Sequence, residues 1–159
     1  MLMHRVVIVN STPIIALLDI GQIDILKALY DEIIIPEAVR DEVTAKDEHA
    51  LDNYTWIKVH AIKNIAAKDT FISSLHDGEV EVMILAKEIN SDLVILDDSL
   101  ARRHAKHQGL TITGTVGVIL RAKHNGIIDS VKPLLDGLVN SDFYISESVI
   151  DEVLKLAGE

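Results

Sequence analysis

Five short runs of apolar and mostly β-branched residues are spaced along the chain, and segments with apolar residues at every third or fourth position separate them. The runs lie at Arg5–Val9, Glu32–Ile35, Ile57–His60, Leu93–Leu96 and Leu110–Ile112. Continuous apolar runs of this length are typical of strands that are covered on both faces in a parallel sheet. We therefore expect an α/β fold, a three-layer α/β/α sandwich around a central parallel sheet of four to five strands.

The segments between these runs have helical periodicity. Thr12 before Pro13 has the pattern of a cap followed by proline at the first helical position, and Gly109 is a natural helix stop. Further helices are predicted at 22–29, from Pro36, at 78–89, 99–108, 114–124 and 131–138, and in the tail after Ser146. The polar stretch Thr44–Tyr54 is predicted to be a mobile insertion. The length favours one domain, 1–159.

Composition narrows the class of protein. Hydrophobic residues make up 48% and charged residues 25% of the chain, and there is no cysteine. This composition predicts a globular protein without disulfides. No apolar run approaches the ~20 residues that span a bilayer, and no signal-peptide pattern opens the chain, so we expect a cytoplasmic protein with no membrane partner. The formal net charge of -10 disfavours a general nucleic-acid coat. A local basic patch or a bound cation remains compatible with it.

Polar and acidic residues follow the predicted strands where each strand ends or the next helix begins. They are Asn10; Glu37, Asp41 and Glu42; Asp77, Glu79 and Glu81; and Asp97 and Asp98. Because the carboxyl ends of parallel strands lie at one edge, these side chains are expected to converge there. Several carboxylates that converge repel one another unless they are protonated or a cation neutralises them. Oxygen ligands without cysteine favour Mg²⁺ or Mn²⁺, which suit phosphodiester hydrolysis by a metal-activated water.

Four segments, in order, resemble a known family. They are IVNSTPIIALL, IIIPEAVRDEV, GEVEVMILA and LVILDDSLARRHA, and they extend over nearly the whole chain. The sequence resembles the PIN domain, a metal-dependent ribonuclease fold. The later segments TGTVGVILRAKHNGII and ISESVIDEVLKLAGE look closest to a PIN-like subgroup of predicted nucleic-acid-binding proteins.

The resemblance implies a set of site residues. Asn10 falls where the family's first aspartate usually lies, and Ser11 matches the neighbouring hydroxyl. The second, third and fourth acids of the family's motif fall on Glu42, Glu79 and Asp97, with Glu81 and Asp98 as close alternatives. The departure is Asn10, whose amide oxygen can coordinate a metal ion but supplies no negative charge. We therefore expect weakened metal affinity at this site.

Each motif also has a structural interpretation. Thr12 can act as an N-cap with Asn10 and Ser11 bonded to nearby amides, and Glu37 suits the positive end of a helix dipole. The segment Ala101–Gln108 carries Arg102, Arg103, His104, Lys106 and His107. This segment is either an ordinary basic helix face or a rim that binds RNA phosphates through Arg102, Arg103 and Lys106, a rim that Arg121, Lys123 and His124 would extend.

Three functions compete. The first is a divalent-metal-dependent ribonuclease that cleaves RNA; the resemblance implies a toxin paired with a small antitoxin protein, and a homodimer. The second is a catalytically weakened PIN-like module that binds nucleic acid or protein, because Asn10 replaces the first aspartate. The third is a receiver-like phosphoacceptor, which requires a lysine after a later strand. Thr113 and Gly114 follow Leu110–Ile112 instead, so this interpretation ranks last.

Overall fold

The computed structural model describes residues 5–71 and 73–159, so residues 1–4 and 72 of the predicted domain lie outside the described residues. Five strands lie within these ranges: β1 (Val7–Val9), β2 (Ile33–Pro36), β3 (Ile57–His60), β4 (Leu93–Ile95) and β5 (Ile112–Thr113). Each overlaps one of the predicted runs, but β5 shares only Ile112 with the predicted run Leu110–Ile112. The described α-helices are α1 (Ser11–Asp19), α2 (Asp24–Tyr30), α3 (Glu37–Lys46), α4 (Asp77–Glu88), α5 (Ser99–His107), α6 (Thr115–His124), α7 (Lys132–Asn140) and α8 (Glu147–Leu156). A short 3₁₀ helix spans Ile65–Thr70.

The strands form one parallel sheet in the order β3-β2-β1-β4-β5. Ile8 of β1 pairs with Ile34 of β2 on one side and with Val94 of β4 on the other. The chain therefore builds the sheet outward from β1 in one direction and then in the other. In an open parallel sheet, the position where this direction changes leaves a crevice at the carboxyl ends of the strands, and ligands bind there.

The core explains why the strands are apolar throughout. Each residue of β1 and β4 is buried, because helices cover both faces of the sheet. Helix α4 packs against β1 and β2 and also against α3, whereas α2 packs against β2 and α6. A central parallel sheet of five strands between layers of helices confirms the predicted α/β/α sandwich.

Local details differ from the sequence-based expectations at the first helix. Helix α1 begins at Ser11, so Asn10, not Thr12, is its N-cap residue, and the Asn10 side chain makes no capping hydrogen bond. The predicted mobile segment begins inside α3, which continues to Lys46 before a series of turns. None of the helices in the described part of the chain has the length and apolar character that crossing a membrane demands.

Candidate active site at the carboxyl edge of the sheet

The buried polar residues of the described chain all lie at one place, the carboxyl edge of the sheet. Burial of a polar group costs free energy unless a partner compensates it, so such a cluster marks a site built for a purpose other than packing. Each member either follows a strand or lies in the first turns of a helix at this edge. The cluster consists of Asn10, Ser11, Glu79, Glu81 and Thr115.

Asn10 and Glu42 face one glycine. Asn10 continues β1 toward β4, since its backbone N–H donates to the carbonyl of Ile95 at 3.0 Å. The Ser11 hydroxyl donates to Glu42 Oε2 at 2.7 Å and thereby fixes that carboxylate. A methyl group at Gly78 would lie 2.1 Å from Glu42 Oε1 and 3.4 Å from Asn10 Oδ1. The missing side chain at Gly78 is therefore what lets these two oxygens approach α4.

Glu79 is the buried carboxylate of α4. Its Oε1 accepts a hydrogen bond from the backbone N–H of His76 at 3.0 Å, which satisfies one of the free donors at the start of the helix. Burial raises the pKa of Glu79 above its ordinary value, the bond from His76 opposes the rise, and the Asp98 carboxylate nearby adds to it. Asp98 itself caps α5, because its Oδ2 accepts from the backbone N–H of Ala101 at 2.9 Å.

Asp97 is held from the opposite side by the start of α6. The backbone N–H and the hydroxyl of Thr115 donate to Asp97 Oδ1 and Oδ2 at 2.9 and 2.6 Å. Burial raises the pKa of Asp97, and the two bonds from Thr115 and the charge of Arg102 counteract that rise. A methyl group at Gly114 would lie 2.8 Å from Asp97 Oδ1, so this glycine also leaves room for a carboxylate.

Glu81 has structural partners. Its Oε1 accepts from the backbone N–H of Ala38 at the start of α3, at 3.2 Å. Its Oε2 lies 2.7 Å from Lys68 Nζ in the 3₁₀ helix. Because both oxygens are engaged, Glu81 joins α3, α4 and the 3₁₀ helix, and Glu79 is the member of this pair with a free oxygen.

The basic residues of α5 divide between two surroundings. Arg102 is partly buried, and its Nη1 donates to the carbonyl of Leu96 at 3.0 Å, close to Asp97. Arg103 and Lys106 are exposed. The structure therefore places one of the three predicted RNA-binding cations beside the acidic residues and the other two on the surface.

Sequence reasoning missed three residues at this edge: Thr115, His76 and Gly78. Thr115 is fully buried and supplies two donors to one carboxylate. The pattern of a short strand run followed by Thr113, Gly114 and Thr115 at a helix start was a signal for it. Nothing in the sequence singles out Gly78, because the side chains it makes room for come from other segments.

Two oxygens at this edge have the character of unused ligands. Asn10 Oδ1 and Glu79 Oε2 are buried, and neither has a hydrogen-bond partner among residues 5–71 and 73–159. Two further buried oxygens without a partner in these ranges, Tyr30 Oη and Gln108 Oε1, lie away from this edge. Oxygen donors of this kind suit a hard divalent cation. Across residues 5–71 and 73–159, however, no three His, Cys, Asp or Glu side chains lie close enough together to hold a metal ion. The donor chemistry thus fits Mg²⁺ or Mn²⁺, and closure of the carboxylates around an ion requires side-chain movement.

The fold and the site together define a class: an α/β/α sandwich with buried acidic oxygens at the carboxyl edge of its parallel sheet. A comparison with protein families assigns the chain within this class: the model described as "DUF3368: PIN domain" matches residues 6–159. The chain belongs to the PIN-domain family, whose members are typically nucleases. This match confirms the resemblance given by the sequence motifs.

Among solved structures, the chain is similar to a PilT N-terminus domain protein, SSO1118, from the hyperthermophilic archaeon Sulfolobus solfataricus P2. The two are 18% identical, with a TM-score of 0.49, and the similarity covers 70% of this chain and 88% of the other. A comparison with curated proteins gave no match.

Proposed function

We propose that the protein is a divalent-metal-dependent endoribonuclease of the PIN type. The observation that carries the proposal is the convergence of the five buried polar and charged residues of the described chain at the carboxyl edge, where Asn10 Oδ1 and Glu79 Oε2 lie without a hydrogen-bond partner among the described residues. Burial without partners costs about 1–3 kcal/mol for each polar group. A bound cation offsets this cost, whereas a purely structural role leaves it uncompensated.

The proposed metal ligands are the residues that present carboxylate or amide oxygens at the carboxyl edge. Asn10, Glu42, Glu79, Asp97 and Asp98 would hold Mg²⁺ or Mn²⁺. A bound cation supplies Lewis-acid chemistry, since it polarises a phosphodiester and lowers the pKa of a water molecule. The Ser11 hydroxyl donates its one proton to Glu42 Oε2 and orients that carboxylate. A hydrogen bond from Ser11 to a substrate phosphate oxygen would take this proton from Glu42. Thr115 fixes both oxygens of Asp97 and acts as a positioning residue.

Asn10 lowers the metal affinity that we expect for the proposed site. A unit charge about 4 Å from another is worth about 4 kcal/mol at an effective dielectric of ~20, and about twice that against a divalent ion before desolvation is subtracted. An amide oxygen at this position forgoes that attraction. The proposed enzyme therefore needs a higher metal concentration than a site with an aspartate at position 10.

Cleavage of labelled RNA with Mn²⁺ and with EDTA tests the proposal. We expect cleavage with Mn²⁺ that EDTA abolishes and that Glu42→Gln removes. Glu48→Gln is the matched control, because Glu48 follows α3 but is exposed, and within the described residues its one ion pair is with His49. RNA degradation that persists in EDTA, or that Glu42→Gln leaves unchanged, would contradict the proposal.

The second candidate is a weakened PIN-like module that binds nucleic acid or protein, and the uncharged Asn10 favours it. An inert wild-type protein that gains Mn²⁺-dependent activity in Asn10→Asp identifies this case. The proposed toxin role, a small antitoxin protein as partner and a homodimeric state rest on the family resemblance. Light scattering after size-exclusion chromatography tests the dimer.

A further inference from the structure

Four side chains of α5 form one stripe along the helix, which we call the α5 stripe: Leu100, Arg103, His104 and His107. Their spacing of three, four and seven residues places them on a single helical face. They line a shallow hollow of about 260 Å³. From Leu100 to His107 the stripe extends about 10 Å along the helix axis. This length matches about three nucleotides of a stacked strand, which rises about 3.4 Å for each nucleotide.

The cationic and donor groups of the α5 stripe are free for a ligand. Arg103, His104 and His107 form no ion pair with any residue in the described ranges. Arg102, the neighbour of Arg103, turns the other way and donates to the Leu96 carbonyl. The chain carries a net charge of -10, and the α5 stripe contains no carboxylate.

The other side of the acidic edge has the opposite electrostatic character. A cavity of about 610 Å³ there, which we call the α1–α3 trough, begins at Ser11 and Glu42 and continues along α1 and α3. Its lining includes the carboxylates of Asp19, Glu42 and Asp142, and Lys46 is the one lysine or arginine among the described lining residues. A strand of phosphates laid in this trough would meet more negative than positive charge.

We propose that single-stranded RNA reaches the acidic edge across the α5 stripe and not along the α1–α3 trough. Arg103 binds one phosphate, and ring N–H groups of His104 and His107 donate to oxygens of the neighbouring nucleotides. Helix α5 begins at Ser99, directly after Asp97 and Asp98, so a strand on the stripe leads to the proposed cleavage position. This inference deepens the proposed nuclease function and rests on it for the identity of the ligand.

Fluorescence anisotropy with a labelled single-stranded RNA tests the path separately from cleavage, because EDTA prevents metal-dependent hydrolysis. We expect Arg103→Gln to weaken RNA binding about three- to tenfold at 0.1 M salt and to lower the slope of log affinity against log salt by about 0.7–1. His107→Gln is expected to weaken binding by a smaller factor. The matched control is Lys46→Gln, an exposed cation of the α1–α3 trough, for which we expect no change.

The outcomes distinguish a failure of the proposed RNA path across the α5 stripe from a failure of the proposed nuclease function. The path is overturned if wild-type protein binds no RNA, or if Lys46→Gln weakens binding and Arg103→Gln does not. Binding that depends on Arg103 without any Mn²⁺-dependent cleavage supports the path and contradicts the nuclease. Cleavage whose KM and kcat are unchanged in Arg103→Gln and in Arg103→Glu supports the nuclease and overturns the path.

Discussion

Replacement of Glu79 by glutamine is expected to stabilise the metal-free protein and to weaken its response to metal. Glu79 is 4% exposed, one of its oxygens accepts from the backbone N–H of His76, and the other has no donor. Asp98 lies close enough to raise its pKa. In Glu79→Gln the carbonyl oxygen keeps the bond to His76, and the new amide group can donate to Asp98.

The size of the effect follows from the unpaired oxygen. An unsatisfied buried acceptor costs about 1–3 kcal/mol, and since the exchange recovers part of this cost, we expect the free energy of unfolding to increase by about 1 kcal/mol. For a chain of 159 residues, this corresponds to an increase in Tm of about 2–4 °C.

The raised pKa of Glu79 determines how the stability difference between wild type and Glu79→Gln changes with pH. Because burial raises the pKa of Glu79 in the folded protein, the folded state binds more protons than the unfolded state as pH rises past the ordinary pKa. Wild-type stability attributable to this group therefore falls as pH rises through that window. The advantage of Glu79→Gln is expected to be largest at neutral pH and to disappear in acid, where the wild-type carboxyl is protonated in both states.

Thermal unfolding in EDTA and in millimolar Mn²⁺ measures both the stability of the metal-free protein and its stabilisation by metal. Without metal, the Tm of Glu79→Gln should exceed that of wild type. With Mn²⁺ the wild-type Tm should rise by mass action, by the equivalent of about 2.7 kcal/mol at a hundred times Kd, and the variant should gain less. Glu48→Gln, at an exposed position, should follow wild type in both buffers. A lower Tm for Glu79→Gln in EDTA, or equal gains with Mn²⁺, would refute the reasoning.

Three further predictions concern single contacts. Gly78→Ala places a methyl group 2.1 Å from Glu42 Oε1, so this oxygen must move away. Alanine favours a helix over glycine by up to about 1 kcal/mol, which offsets the cost of the displacement, so the free energy of unfolding should change little. The Mn²⁺-induced rise in Tm should become smaller, because Glu42 no longer lies in its original position. Thr115→Val removes the 2.6 Å hydrogen bond to Asp97, one of the contacts that oppose the rise in the pKa of that carboxyl. In chemical denaturation we expect a loss of about 1–2 kcal/mol at pH 8 that becomes smaller in acid below the ordinary pKa of aspartate, where the carboxyl is protonated in both states; a loss that does not change over this range would show that the charge of Asp97 does not depend on this bond. In Glu159, bonds from Ser130 and from the Val131 backbone lower the pKa to about 2. A lowered pKa stabilises the fold above the ordinary value and loses that effect as pH falls toward about 2, so Glu159→Gln should lower Tm at pH 7 and match wild type near pH 2.

Most of the architecture could be predicted because strand and helix signals are local. The apolar runs that became β1 and β4 have no polar interruption, and Gly109, with a φ of +80°, follows α5 as the predicted helix stop. Helix α1 differs by its start at Ser11, because the backbone of Asn10 completes the ladder to β4. That bond joins segments far apart in sequence, so no local pattern reveals it.

For the candidate site, the sequence predicted which types of residue take part and at which edge of the sheet they lie, but not their individual contacts. The parallel sheet explains why acids after different strands share one edge, but the separate partners of Glu79 and Glu81 depend on tertiary contacts with His76, Ala38 and Lys68. Likewise, the spacing on α5 predicts a basic helix, whereas the inward direction of Arg102 follows from the position of the Leu96 carbonyl. These distinctions require the packed structure.

The pairing of Val7 with Leu93 at the centre of the sheet has a consequence for how the protein is made. Contacts between residues this distant in sequence form late, since a long loop must close before they form. During synthesis, β1 lacks its neighbour β4 until the segment around Leu93 has left the ribosome. Asn10, Glu42 and Glu79 are therefore expected to meet Asp97 only after β4 has emerged and paired with β1. The ribonuclease activity proposed above would be absent from shorter nascent chains, which lack Asp97.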